Sequence, residues 1–188
     1  MIILLTGASH TGKTLLAQKL LEVFQYPYLS ADHLKMGLIR SGQTELTPCD
    51  DGRLTDYLWK ILKEIIKTAI ENGQNLIVEG CYIPFDWRDS FSDAYLEQIR
   101  YLCLVMSDAY ISGHFQEILS HENAIEHRIP DDDFDMAFAR AENRDYLRNC
   151  VRYGLDYYLI DGSYDPDAIA SAAAARISGN REKGIAAR

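Results

Sequence analysis

The chain has 188 residues, with 19 basic against 28 acidic side chains and a formal charge of −9. That length suits one α/β domain with a well-buried core and is too short for two ordinary ones. The acidic balance argues for solubility and against a nucleic-acid or anionic-membrane surface, so any basic residues gathered at a site stand out from the background field.

Ile2-Ile3-Leu4-Leu5 is a short apolar run that reads as a buried strand. Gly7 to Thr14, Gly-Ala-Ser-His-Thr-Gly-Lys-Thr, spell the phosphate-loop (Walker A) pattern. Leu16, Leu20, Val23 and Phe24 then repeat at helical spacing, so a helix starts near Lys13. Strand, glycine loop and helix together turn a string match into a structural expectation. Such a loop offers a polyphosphate its inward-turned N–H groups and the positive end of the following helix. The expected nucleotide contacts are Gly7, Ser9, His10, Thr11, Gly12, Lys13, Thr14 and Leu15. Lys13 is to reach the β- and γ-phosphates, and the Thr14 hydroxyl is to ligate Mg²⁺. His10 is read as a contact only.

Tyr26 to Ala31 reads as a second strand, followed by Asp32 as the cap of a short helix through Leu34, Leu38 and Ile39. Ser41 to Asp51 is polar and reads as a loop. Leu54, Leu58, Ile61, Leu62, Ile65 and Ala69 mark one face of a long helix stopped by Gly73. Asn75 to Val78 is a third strand ending in Glu79-Gly80, and an aromatic loop follows from Tyr82 to Trp87. Tyr82, Phe85 and Trp87 suit either an apolar pocket wall or ordinary packing. Tyr101 to Met106 is a fourth strand, and Ser107 to Arg152 is mostly helical with a break around Arg128 to Asp133. Leu155 to Ile160 gives a fifth strand, and Asp165-Pro166 starts a last helix ending at Gly179. The domain is expected over 1–179, with a helical lid over 111–140 and a frayed tail over 180–188.

Cys49, Cys81, Cys103 and Cys150 are scattered with no C-x-x-C pair, and the expectation is reduced thiols. A strand beginning at Ile2 leaves no room for a signal peptide, and no apolar run approaches a membrane span, which predicts a cytoplasmic protein. His114, His121 and His127 lack a metal-ligand pattern.

Strands alternating with helices imply a parallel sheet covered on both faces, with ligands bound beyond the carboxyl ends of the strands. The phosphate loop, Asp32 and Glu79-Gly80 lie at three such ends. Asp32 suits a carboxylate that orients or deprotonates an acceptor hydroxyl, a role compatible with capping. Glu79 suits Mg²⁺ binding through water, or acceptor binding, against a solvated strand end. Arg128, Arg140 and Arg144 suit phosphate contact near the lid. Arg148 and Arg152 continue the same series, but a stripe drifting about 40° per step cannot face one site throughout. Those two fit a solvated face paired with Glu142 and Asp145.

An Asn-Lys-x-Asp guanine motif is missing, and the chain is short for a larger ATPase, which leaves a small kinase. Here the residues resemble the P-loop small-molecule kinases related to adenylate kinase, gluconate kinase, chloramphenicol phosphotransferase and the zeta toxins. Leu-Ile-Val-Glu-Gly-Cys-Tyr-Ile-Pro at 76–84 is similar to the Glu-Gly-x-x-x-x-Pro stretch of 2-phosphoglycerate kinases, and Ser30-Ala31-Asp32-His33 to the segment after their second strand. The resemblance implies a P-loop NTPase three-layer α/β/α sandwich with a five-stranded parallel sheet in the order 2-3-1-4-5. It also implies ATP with Mg²⁺ as phosphate donor. Arg40 and Arg88 occupy positions that the adenylate-kinase group uses for the acceptor, so substrate binding is expected from Asp32, Arg40, Glu79, Gly80 and Arg88. A nucleoside monophosphate kinase is the near alternative. A nucleotide-binding regulatory module with slow hydrolysis is the distant one.

Overall fold

A computed structural model describes residues 1–120 and 134–183. Strand β1 (Ile2–Gly7) leads through the phosphate loop into helix α1 (Lys13–Phe24), then β2 (Tyr28–Ser30) and α2 (Ala31–Arg40). The long α3 (Asp51–Glu71) precedes β3 (Leu76–Glu79) and a single 3₁₀ turn at Trp87–Ser90. The remainder runs α4 (Asp93–Leu96), β4 (Ile99–Met106), α5 (Asp108–Ser120), α6 (Met136–Tyr153), β5 (Tyr157–Ile160) and α7 (Pro166–Lys183).

All four strand pairings are parallel, in the order β2-β3-β1-β4-β5. The two-residue period of β1 explains why its apolar run is continuous. Ile2 and Leu4 enter one core with Val78, Tyr101, Cys103 and Val105, against Leu58, Leu62 and Ile66 of α3. Ile3 and Leu5 enter the other with Ile77, Leu102 and Leu104, against α1, α5 and α7. A strand covered on both faces has no polar side to spare, and Ile2 to Leu5 are fully buried. No described helix is long and apolar enough to cross a membrane.

Several boundaries differ from the sequence reading. The cap of α2 is Ser30, whose Oγ accepts from the His33 N–H at 3.4 Å, so the helix starts at Ala31 and Asp32 lies in its first turn. A serine at the end of a strand both terminates the ladder and satisfies an orphan helix donor, which shortens β2 to Tyr28–Ser30. Gly154 closes α6 in the left-handed conformation (φ 59°), delaying β5 to Tyr157. Asp165 caps α7 as expected, accepting from the N–H groups of Asp167 and Ala168 at 3.0 and 3.1 Å. That helix continues past Gly179 to Lys183. The expected lid centres on 121–133, which lie outside the described residues, as do Arg128, His121 and His127.

Candidate active site

Parallel pairing puts the ends of β1, β2, β3 and β4 on one edge of the sheet, and the loop from Ala8 to Gly12 curls over it. The loop is held against the sheet by backbone alone at its root. A Cβ on Gly7 (φ 148°) would fall 2.3 Å from the Leu104 carbonyl oxygen of β4, so only glycine fits. Gly12 (φ 82°) is the N-cap of α1 and supplies no side-chain cap, which leaves the first-turn N–H groups to a ligand. The Tyr164 hydroxyl from the β5–α7 connection rests on Gly12, where a Cβ would be 1.9 Å away. Burial pushes the Tyr164 phenol up to about 12, so it is a neutral donor at ordinary pH.

Lys13 turns back over the loop. Its Nζ donates to the Ala8 carbonyl at 2.7 Å, and the Thr11 hydroxyl donates to the same oxygen at 2.8 Å. The lysine is only 6% exposed, and among the described residues no carboxylate pairs with its ammonium. An enclosed cation met only by a carbonyl is costly unless an anion completes its shell. Thr14 follows with its hydroxyl 3.4 Å from Oε1 of Glu79, a carboxylate 1% exposed at the end of β3. Gly80 continues the turn by donating to the Leu5 carbonyl at 3.1 Å. Mg²⁺ takes few protein oxygens and keeps waters and phosphate ligands. Thr14 with Glu79 fits that pattern, whereas among the described residues no group of three His, Cys, Asp or Glu could cage a metal.

Across the crevice, Asp32 accepts from Lys35 Nζ at 2.6 Å, and the same ammonium donates to the Tyr82 hydroxyl at 2.8 Å. The Cys81 thiol lies within the fields of Lys13, Asp32 and Lys35, and burial pushes it up to about 11. Sequence reading did not single out Lys35. Its signal was the spacing, one helical turn from Asp32.

Helix α6 is fixed to the same edge by Asn143. Its Oδ1 accepts from the Met106 N–H at the end of β4 at 2.7 Å, and its Nδ2 donates to the Ala139 carbonyl at 2.8 Å. From this docked helix Arg140 and Arg144 reach one partner and Glu142, two residues from each and so on another face, reaches a second. Arg140 and Arg144 both meet Asp108 in the first turn of α5, at 3.2 Å through Arg140 Nη2 and 2.9 Å through Arg144 Nε. Arg144 first, then Arg140, holds the Asp108 carboxyl below its usual range. Glu142 accepts from the Ser9 N–H at 2.9 Å and the Ser9 hydroxyl at 3.2 Å, tying α6 to the tip of the phosphate loop. Glu142 is therefore engaged by the phosphate loop, while Asp145 pairs with Arg148. Beside it, the His10 ring packs on Phe134 with centroids 4.1 Å apart.

Two other residues expected at the site do not converge here. The Arg88 guanidinium donates to the carbonyls of Tyr153 and Gly154 at 3.1 and 3.3 Å and stacks on Trp87. Those carbonyls end α6 just before β5 begins, on the opposite edge of the sheet. Arg88 is thus a C-terminal helix cap, drawn there by the negative end of the dipole. Arg40 is exposed in the last turn of α2, eight residues beyond Asp32 and so about 12 Å along the axis. Of the three aromatics, only Tyr82 touches the site; Trp87 stacks on Tyr101 at 5.8 Å, and Phe85 meets Tyr146 at 5.2 Å.

The family model for chloramphenicol phosphotransferase-like protein matches residues 1–105. The chain belongs to that family. The matched stretch carries the phosphate loop, Asp32, Lys35 and Glu79, while Asp108 and all of α6 lie beyond it. No curated protein matches the chain. Among solved structures, a deoxyadenosine kinase from M. mycoides is similar over 95% of this chain and 100% of its own at 11% identity, with a TM-score of 0.60. A shikimate kinase from Aquifex aeolicus covers 96% and 98% at 15% identity and a TM-score of 0.52. A gluconokinase from Sinorhizobium meliloti 1021 covers 98% and 97% at 16% identity and 0.51. Such identities show the fold alone, a kinase-like P-loop sheet whose strand order is the one observed here.

Proposed function

We propose that the protein transfers the γ-phosphoryl group of Mg·ATP to a hydroxyl of a small molecule. The observation that carries this reading is the buried Lys13 ammonium, held by a carbonyl at the mouth of an uncapped helix and, among the described residues, paired with no carboxylate. Family membership and the kinases among the similar structures support it.

In this reading Lys13 and the first-turn amides of α1 grip the phosphates, and Gly7 lets the loop lie close enough to the sheet to do so. Thr14 and Glu79 would hold Mg²⁺. When bound, the ion neutralises charge that develops on the phosphate oxygens. Asp32 receives the acceptor's hydroxyl proton. Arg140 and Arg144, gathered on Asp108, stabilise the equatorial oxygens as charge spreads over them. The helix that carries those arginines also holds the loop tip through Glu142, so the two parts share one frame.

A 2-phosphoglycerate-type acceptor is one member of this class. With Arg88 at the opposite sheet edge and Arg40 at the far end of α2, the placement of both arginines favours an alcohol over a nucleoside monophosphate. The test is ADP release from Mg·ATP across a panel of small alcohols, sugars and hydroxy acids. The expected result is stimulation by a subset of these, lost in Asp32→Asn while ATP still binds. Binding of ATP with no stimulation by any member would instead favour a regulatory nucleotide module.

A further inference from the structure

We infer that Lys35 is a specificity-determining residue that receives an anionic group of the acceptor, so the substrate is an alcohol bearing a carboxylate or a phosphate. This rests on the kinase reading above and adds to it the residue and the charge that select the substrate. The ordinary reading of Lys35 is half of a surface i,i+3 pair. Its lysine is the least exposed cation of the i,i+3 pairs among the described residues, with Lys67 of Lys67–Glu64 next at 25%. Arg148–Asp145 has side chains 73% and 48% exposed, and Arg53 of Arg53–Asp50 is 76% exposed. The Lys35 side chain is 13% exposed, enclosed by Asp32 and by the Tyr82 hydroxyl at the crevice. Its ammonium also stands 5.1 Å from the Tyr82 ring centroid, close enough for the ring face to contribute.

An ammonium has three donors. Two are taken, by Asp32 at 2.6 Å and Tyr82 at 2.8 Å, and Lys35 makes no other hydrogen bond among the described residues. The third is available to a ligand in the crevice.

Charge balance through the reaction points the same way. As the acceptor oxygen bonds to the γ-phosphorus and the bond from that phosphorus to the β–γ bridging oxygen breaks, the hydroxyl proton moves to Asp32. ADP leaves with the bond's electron pair. Asp32 is then neutral, and the enclosed Lys35 charge has lost its counter-ion at the moment the transfer completes. An anionic substituent on the acceptor supplies that counter-ion; a neutral alcohol does not. Glu79, which meets the Thr14 hydroxyl, lies on the metal side in this reading and does not replace it.

The experiment is steady-state ADP release with matched acceptors, using wild-type protein, Lys35→Met and Lys35→Arg. The carboxylate arm pairs glycerate with glycerol and gluconate with glucose. The phosphate arm pairs glycerol 3-phosphate with glycerol and glucose 6-phosphate with glucose. In wild type the preferred anionic member should exceed its neutral partner by roughly 10- to 100-fold in kcat/KM, the range of one charge-assisted hydrogen bond, and the arm in which it appears identifies the anion. Lys35→Met should erase that gap, chiefly through KM, while Mg·ATP affinity measured by calorimetry stays unchanged, and Lys35→Arg should restore part of it. Equal turnover of neutral and anionic partners, or an undiminished gap in Lys35→Met, overturns the inference and leaves the kinase reading standing. Turnover of no acceptor at all by a wild-type protein that binds ATP overturns both.

Discussion

The phosphate loop and the crevice edge facing it are built by opposite means. The loop is eight consecutive residues whose work is done mainly by backbone: glycine dihedrals at Gly7 and Gly12, amides at the start of α1, and one lysine folded onto its own loop carbonyl. The facing edge is assembled from side chains drawn from distant segments. Asp32 and Lys35 come from α2, Tyr82 from the loop after β3, Asp108 from α5, and Arg140, Glu142 and Arg144 from α6. A backbone device tolerates little substitution at its glycines and much elsewhere. A side-chain assembly is the reverse.

Each half of that contrast can be broken separately. The largest effect is expected at Gly7, because its Cβ would meet the rigid β4 backbone at Leu104 rather than a movable side chain. Gly7→Ala should cost roughly 3 kcal/mol in urea unfolding, whereas Ala at Gly37, where a Cβ meets nothing within 4 Å, should stabilise or leave the value unchanged. Glu142→Ala removes two hydrogen bonds to Ser9 and the tie between the halves. About 1–2 kcal/mol is expected, together with faster amide exchange at Ser9 and His10; protection unchanged there would detach α6 from the loop. Arg88→Ala should cost about 0.5–1 kcal/mol of stability, since it unmakes a helix cap at an exposed position. It should leave ATP affinity and acceptor KM untouched, and a raised acceptor KM would return Arg88 to the site.

The smallest effect concerns pH. Asp108 is held below its ordinary value of 3.8 by Arg144 and Arg140, so its ion pairs stabilise the fold above that pH and the contribution is lost as pH falls through the depressed folded value. Asp108→Asn should therefore lower Tm by a small constant amount near neutrality, with the difference from wild type closing in acid below about pH 4. A difference that persists at pH 2 would mean that packing, not charge, holds the two arginines.

The same contrast governs what sequence alone disclosed. The loop and the β1 strand were legible because spacing and hydrophobic period encode them locally, and the sheet order followed from the resemblance to P-loop kinases. Glu79 was legible as a strand-end residue because parallel topology fixes where such residues go. Lys35 and Glu142 were not, since an exposed i,i+3 pair and an enclosed one are identical as strings, and the Ser9–Glu142 contact spans 133 positions. Arg88 misled for the same reason: its position after the Glu79 loop is right for an acceptor ligand, but the 3₁₀ turn at Trp87–Ser90 aims it at the end of α6. Asp32 was read as a cap, but Ser30, two residues earlier, holds that position and Asp32 lies in the first turn.

The central claim is that the loop grips Mg·ATP by itself and that the facing edge serves the acceptor. Calorimetric titration of a non-hydrolysable ATP analogue with Mg²⁺ into wild type, Lys13→Ala and Asp32→Asn tests it most directly. The account predicts binding that Lys13→Ala weakens by at least about 10-fold and that Asp32→Asn leaves within about 2-fold of wild type. Equal affinity in wild type and Lys13→Ala, or loss of binding in Asp32→Asn, would contradict it.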